Sequence, residues 1–262
     1  MNNNAVTAPV PEATKRGSES SRNSFLVAIR DNPIARSVRR FRPLGSAIKS
    51  TLRWASLPIR PIVVSRYMKT HPVRKLQIGA HVFLLPGWLN SDLYPQSINS
   101  ISLDATKTFP IPTATFDYVF SEHQIEHIPY EKAVAMLGEC RRILRPGGKI
   151  RLALPSLDRM IELFQLDRTN LQDRYINYMT NLSWPTVRDP IPCFAINSAF
   201  MDWGHRFLYD QATLRRTLEM AGFAHIQFFT PGVSDDPNLT GIEGRTKEMD
   251  LYETMVVQAV RS

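Results

Sequence analysis

An α/β fold built on a mostly parallel sheet is predicted by one central stretch and by the runs on either side of it. Residues 116–157, FDYVFSEHQIEHIPYEKAVAMLGECRRILRPGGKIRLALPSL, read as strand, turn, helix, turn, strand. Phe116 to Phe120 is apolar, aromatic and β-branched apart from Asp117, and Lys149 to Leu154 alternates into a run of the same kind, so both suit buried strands. Between them Ala133, Met136, Leu137, Cys140, Ile143 and Leu144 recur at spacings of three and four, one apolar stripe on a helix from about Tyr130. Pro129 sits where a first turn tolerates proline, and Arg145-Pro146-Gly147-Gly148 stops the helix. A strand, a crossover of this length and a second strand form a βαβ unit with parallel strands, whose ligands lie beyond the carboxyl ends of those strands. Ser121, Glu122, His123, Glu126 and His127 therefore stand at the mouth of a candidate site.

The flanking runs complete the sheet. Val73 to Gly79 is a short strand closed by glycine, and Trp88 to Leu93 is a second, announced by the Pro86-Gly87 turn. Residues 80–87 are too few for the dozen or more that a crossover helix needs, so an abbreviated connection joins these two strands. Asn99 to Leu103 is a third candidate strand, closed by Asp104 and Ala105. Beyond the fifth strand comes a long insertion, residues 158–202, in the position where loops cover a pocket and meet substrate. Asp210 caps a helix from Gln211 to Ala221 that Gly222 ends, and Ala224 to Phe229 and Thr254 to Val260 supply the last two strands. Asp235, Asp236 and Glu243 fall in the loop between those strands with no chemistry assigned.

A chain of 262 residues with 43% apolar content buries one sizeable core. Two cysteines, Cys140 and Cys193, in no CxxC pairing, suggest neither a disulfide scaffold nor a thiolate zinc site and fit a reducing, cytoplasmic setting. Apolar runs fall far short of the roughly 18 residues that read as a membrane span. The net charge of +8 is unevenly placed: residues 1–75 hold 15 Lys and Arg against 3 Asp and Glu, and the remainder 17 against 21. Basicity thus belongs to an N-terminal appendage. Residues 1–23, rich in Asn, Ser, Pro and Ala, read as a disordered tail. Residues 24–71 mix arginine with large apolar groups, and prolines at 33, 43, 58 and 61 cut them into short helical pieces, Leu44 to Leu57 among them. Such an arm suits an anionic membrane surface, or equally packing on its own domain or a neighbour; no nucleic-acid motif accompanies it.

The motifs FDYVFSEHQIEHIPYEKAVAMLGECRRILRPGGKIRLALPSL, KLQIGAHVFLLPGWLNSDLYP, ISLDATKTFPIP, INSAFMDWGHRFLYDQATLRRTLEMAGF and ETMVVQAV together resemble a class I S-adenosylmethionine-dependent methyltransferase, over about Lys75 to Arg261. PGWLNSD and SEHxxEH are similar to a branch of predicted methyltransferases associated with glycan or cell-surface metabolism. The resemblance implies a Rossmann-like fold with helices on both faces of the sheet and an antiparallel C-terminal strand, residues 72–262 forming the methyltransferase-like domain. It also implies S-adenosyl-L-methionine as cofactor, with Gly79, Ala80 and His81 at the methionine part and His81 standing at the family's second glycine position. Asp92 then receives the ribose hydroxyls, Asp104 and Ala105 the adenine, and Ser121, Glu122 and His123 flank the methionine end.

His205, in WGHRFLY, is the candidate general base, because a neutral imidazole takes a proton near pH 7, and His127 lies at the pocket rim. The implied activity is O-methylation of a glycan or lipid-linked sugar by a cytoplasmic enzyme, peripheral on the inner face of the membrane. Two alternatives stand beside it. A catalytically degenerate, methyltransferase-fold scaffold follows if His81 fills the pocket. A zinc hydrolase follows if His123, Glu126 and His127 use their H-x-x-E-H spacing, although the strand-exit setting, Pro129 and the lack of a downstream third ligand weigh against it, and no metal ligand is assigned.

Overall fold

The computed structural model describes residues 53, 54 and 56–262. Seven strands form one sheet in the order β3-β2-β1-β4-β5-β7-β6. They are β1 (Lys75–Ile78), β2 (Leu89–Asp92), β3 (Ile101–Ser102), β4 (Phe116–Glu122), β5 (Leu144–Pro155), β6 (Phe223–Phe229) and β7 (Thr254–Arg261). β1 to β5 pair in parallel, and β7 runs antiparallel to both of its neighbours. The expected mostly parallel sheet with an antiparallel C-terminal strand is what is found. β4 is two residues longer than predicted, through Glu122, and β3 is reduced to two residues.

Alternation along the strands sends side chains to two faces. Val119, Ile150, Leu152, Leu154, Val257 and Ala259 meet the helix at Tyr130–Ile143 (labelled α2, after α1 at residues 56–70) and the helix at Gln211–Met220. Phe120, Ala153 and Val256 meet Trp88 and Leu239 on the other face, where the cover comes from residues 85–88 and 239–242. α2 begins and ends where its pattern indicates, with Ala133, Met136, Leu137, Cys140 and Ile143 all buried. Its stop differs from expectation: Leu144 is already extended, so residues 145–148 lie within β5 as a bulged approach to the β4 pairing.

The arm is corrected at its C-terminal end. α1 is continuous through Pro58 and Pro61, which the sequence reading expected to cut it. Tyr67 is buried in the main core, Val63, Val64 and Met68 pack against that core, and the Tyr67 hydroxyl bonds both the N–H and the carbonyl of Lys75. This packing offsets the N–H donors that two prolines remove. The rest of the arm and the tail, including most of the piece from Leu44 to Leu57, lie outside the described residues. The described residues form one compact unit.

The insertion is helical, where the sequence was read as a long loop. α3 (Leu157–Glu162), α4 (Asn170–Ser183) and α5 (Pro192–Met201) share a small core of Met160, Leu163, Tyr175, Ile176, Met179, Ala195 and Ala199. α6 (Gln211–Met220) follows, its first turn held by the Asp210 carboxylate accepting from the Thr213 N–H at 2.7 Å. α7 (Glu248–Glu253) precedes β7.

The loop acids now have partners. Glu243 accepts from the fully buried Arg151 guanidinium at 2.6 Å and from the Gly232 N–H, and Asp236 meets Lys149 Nζ at 3.0 Å and the Tyr118 hydroxyl. These pairs pin residues 230–243 to the sheet. Glu243→Ala would leave the Arg151 guanidinium buried without its counter-charge, and urea unfolding at neutral pH is expected to show a loss of about 3–5 kcal/mol.

Candidate active site

The parallel strands deliver their carboxyl ends to one edge. Ile78 is in register with both Ser91 and Ser121, and Asp92 with Ser102, so the residues that follow each strand meet there. Gly79 takes φ +73°, and a Cβ on it would stand 2.4 Å from Cγ of Gln124. Glycine is required twice over, by backbone and by space. His81 also lies in the left-handed region, at φ +43°, as the glycine of the resemblance would, and its imidazole is exposed instead of filling the edge. The abbreviated connection between β1 and β2 is closed by side-chain amides: Gln77 and Asn90 both accept from the Leu85 N–H, and Gln77 donates to the Phe83 carbonyl.

Asp92 accepts from the His81 N–H at 3.0 Å and from the Tyr94 N–H at 2.9 Å. Each carboxylate oxygen keeps a second acceptor position. Asp104 accepts from the Thr106 N–H and hydroxyl, and its other oxygen faces Arg53 at 3.7 Å. Ala105 is buried beside it. Gln124, which the sequence reading passed over, lays its side chain on Gly79 and leaves Oε1 buried without a hydrogen bond.

The three residues at the end of β4 divide. Ser121 is buried and donates to the Ile78 carbonyl, tying β4 to β1. Glu122 is taken up by the N–H groups of Gly244 and Arg245, so it anchors a loop instead of facing the Gly79 turn. His123, strained at φ +45°, turns its ring away to Thr254 Oγ1 at 3.1 Å. His123 belongs to a second recess, a pocket of about 200 Å³ lined also by His127, His205, Trp203, Tyr178 and Glu253.

That pocket forms where HQIEH and WGHRF meet. The N–H groups of Arg206 and Phe207 both donate to the Glu126 carbonyl, which brings the His127 and His205 rings to a centroid distance of 4.9 Å. Beneath them the Glu126 side chain is fully buried, and neither carboxylate oxygen makes a hydrogen bond. Burial opposes its charge, but the adjoining His123 and His127 outweigh that and hold the carboxyl below its ordinary range. Burial, with His205 adding to it against the opposing pull of Glu126, holds His127 below the usual imidazole value and therefore uncharged near neutrality. Glu253, on the opposite wall, is shifted upward by burial although the Tyr175 hydroxyl donates to it at 2.5 Å. Glu253 and Trp203 carried no signal in the sequence that marks them as pocket residues. Asp104 by contrast is recognisable as a strand-end acid.

Residues 88–152 match the family model described as a methyltransferase domain. No curated protein matches the chain. Among solved structures it is similar to an S-adenosylmethionine-dependent methyltransferase of Mesorhizobium loti, at 17% identity over 78% of this chain and 97% of that one, TM-score 0.43. A second, from Archaeoglobus fulgidus, is 16% identical over 82% and 98%, TM-score 0.43. A third, from Thermotoga maritima and described as a possible histamine N-methyltransferase, is 15% identical over 88% and 96%, TM-score 0.41. These likenesses are too distant to bear on function. The family match spans β2 to β5, so this part of the chain is similar to a methyltransferase domain, and S-adenosylmethionine is the cofactor that this similarity implies.

The residues at the sheet edge suit that group. Two carboxylates, the glycine-like backbone of residues 79–81 and the unsatisfied Gln124 oxygen offer acceptors to a cationic, hydroxyl-rich ligand. Asp104 provides a test of the edge's electrostatics. Burial raises its pKa, but the Thr106 bonds and the Arg53 and Lys107 charges outweigh it, and the net value is lowered. A lowered folded-state pKa contributes stability present above the unfolded value, about 3.9, and lost as pH falls through the folded one. The acid limb of the stability curve, measured by urea unfolding below about pH 5, should be shallower in Asp104→Asn.

Proposed function

We propose that this chain transfers a methyl group from S-adenosylmethionine to a hydroxyl of a glycan or lipid-linked sugar. The observation that carries the reading is that two different groups of residues stand at the strand ends. One is an edge of acceptors around Gly79, Asp92 and Asp104, and the other a pocket of imidazoles and aromatics reached through His123. In this reading Gly79, Ala80 and His81 hold the methionine part, Asp92 the ribose, and Asp104 and Ala105 the adenine. Ser121 shapes the turn beneath, while Glu122 fixes the loop at residues 244–245 and His123 lies on the acceptor side. The cofactor supplies an electrophilic methyl carbon on a sulfonium. The chain's task is to hold an acceptor oxygen in line with it, exclude water and receive the hydroxyl proton.

His205 and His127 are the proton acceptors of this reading. The His205 Nδ1 lies 2.5 Å from the Ala199 carbonyl, an acceptor only, so Nδ1 carries the proton and Nε2 presents a lone pair. Trp203, Tyr178 and Leu182 line the pocket while remaining partly exposed, a surface suited to the apolar face of a sugar ring and to a lipid tail. The α1 face turned from the core exposes Ile62, and Trp54 is exposed just before it, which supports a peripheral position on an anionic, cytoplasmic membrane face. No helix of the described residues is long and apolar enough to cross a membrane.

Equilibrium titration with S-adenosylmethionine tests the cofactor half. Micromolar binding is expected in the full chain, with losses of about 10-fold or more in Asp92→Ala and in Gly79→Ala, whose new Cβ meets Gln124. Absence of binding would favour the scaffold reading. For the membrane half, the full chain should float with phosphatidylserine vesicles. A chain lacking residues 1–50 keeps α1, its Tyr67 anchor, Trp54 and Ile62 and should float less for want of the basic residues, and replacing Trp54 and Ile62 with Ser in the full chain should weaken flotation too. A full chain that does not float refutes the peripheral assignment.

A further inference from the structure

Glu126 sets a problem that methyl transfer by itself does not explain. Its carboxylate is fully buried, no N–H or O–H donates to it, and it lies under two imidazoles that open into the pocket. A buried polar group is retained only if hydrogen-bonded, paired or coordinated. His123 Nδ1 approaches to 3.4 Å without hydrogen-bonding geometry, and its other nitrogen is taken by Thr254. His127 Nε2 stands 3.9 Å away.

We propose that Glu126, His127 and His205 bind a divalent transition-metal ion at the base of the pocket. One carboxylate oxygen and one ring nitrogen from each histidine lie within 4.8 Å of one another. An ion about 2.0–2.2 Å from each donor would draw them to separations of roughly 3.3 Å, a shift within the reach of χ rotations in the two imidazoles. Two imidazoles and a carboxylate are a donor set for zinc and its first-row neighbours, not for magnesium or calcium, which take oxygens. The bond from His205 Nδ1 to the Ala199 carbonyl is the supporting contact that metal-binding histidines make, fixing the ring and leaving Nε2 to the ion. Coordination would also give the buried Glu126 carboxylate a bonded partner that no hydrogen bond supplies.

The triad differs from the H-x-x-E-H pattern of the sequence. His205 replaces His123, from 79 positions beyond Glu126 in the chain, and it reaches the site because the Arg206 and Phe207 N–H groups dock on the Glu126 carbonyl. Three protein ligands leave a position open toward Trp203 and Tyr178. The use of that position rests on the methyl-transfer reading. An acceptor hydroxyl bound there would be acidified and would lose its proton to water; the metal-bound protein would thus use the two histidines as ligands, and only the metal-free protein would use them as proton acceptors.

The test needs no turnover. The full-length protein is stripped with a chelator and titrated separately with Zn²⁺, by calorimetry, and with Co²⁺, by visible absorption. One equivalent of each is expected to bind, the Co²⁺ form showing the d–d bands of a low-coordinate site. Glu126→Gln and His205→Ala should each weaken binding by more than the roughly 10–100-fold that loss of a supporting hydrogen bond costs, while the exposed His225→Ala leaves it unchanged. Should Glu126→Gln fail to fold, His205→Ala decides, since His205 is only partly buried and its removal leaves no buried charge uncovered that was covered before. Binding of neither ion, or binding indifferent to His205→Ala, overturns the proposal. Titration with S-adenosylmethionine in the metal-free protein is read alongside, so that failure of the ion site and failure of the methyl-transfer reading give separate outcomes.

Discussion

The parallel pairing of β1 on β4 is the constraint on which the rest of the molecule depends. Leu76 against Val119 and Ile78 against Ser121 set a register that ends both strands at one level, sealed by the Ser121 hydroxyl on the Ile78 carbonyl. A slip of one residue would send Val119 and Phe120 to each other's faces, exchanging the helix-covered cluster for the loop-covered one. With the register as it stands, Gly79 and Gln124 come into contact at the edge, and the 3₁₀ turn Ile125–His127 emerges next to them. Cofactor edge and imidazole pocket are therefore two outlets of the same pair of strands.

What the chain's own pattern revealed, and what it concealed, follows from the range of the interactions involved. α2 was legible because its five buried residues repeat locally, and the α6 cap because Asp210 and Thr213 are three apart. The convergence of Gly79, Asp92 and Asp104 at one edge could be anticipated from strand order and parallel pairing, by way of the family resemblance. The helices of the insertion were missed despite a local sign: Thr169 and Gln172 form a capping box, and Tyr175, Ile176 and Met179 make the stripe that follows it. α1 was missed because proline was weighed without the Tyr67 contact that holds the helix to the core.

Other features had no local trace at all. Asp236 and Glu243 bond residues 118, 149 and 151, across about a hundred positions, and no spacing rule connects them. The same holds for His205 and Glu126. Glu122 and His123 were read as cofactor neighbours because they follow β4, but a strand end projects side chains both ways, and here Gly244, Arg245 and Thr254 claim them. Of the five non-glycine residues at positive φ, His81, His123 and Trp203 stand at the strand-end edge and the imidazole pocket, while Ala114 and His225 lie elsewhere.

The lobe formed by α3 to α5 leaves the sheet and returns to it at nearly one point. The Leu157 N–H bonds the Tyr209 carbonyl at 2.8 Å, Ser156 and Tyr209 pair as a short parallel bridge, and the lobe carries its own core. With both feet so close together, the excursion can be lengthened, shortened or exchanged at little entropic cost to the frame beneath it. It is in this sense a detachable module, whose Tyr178, Met179, Leu182 and Ala199 can be changed by recombination while the strand-end edge at Gly79, Asp92 and Asp104 is left untouched.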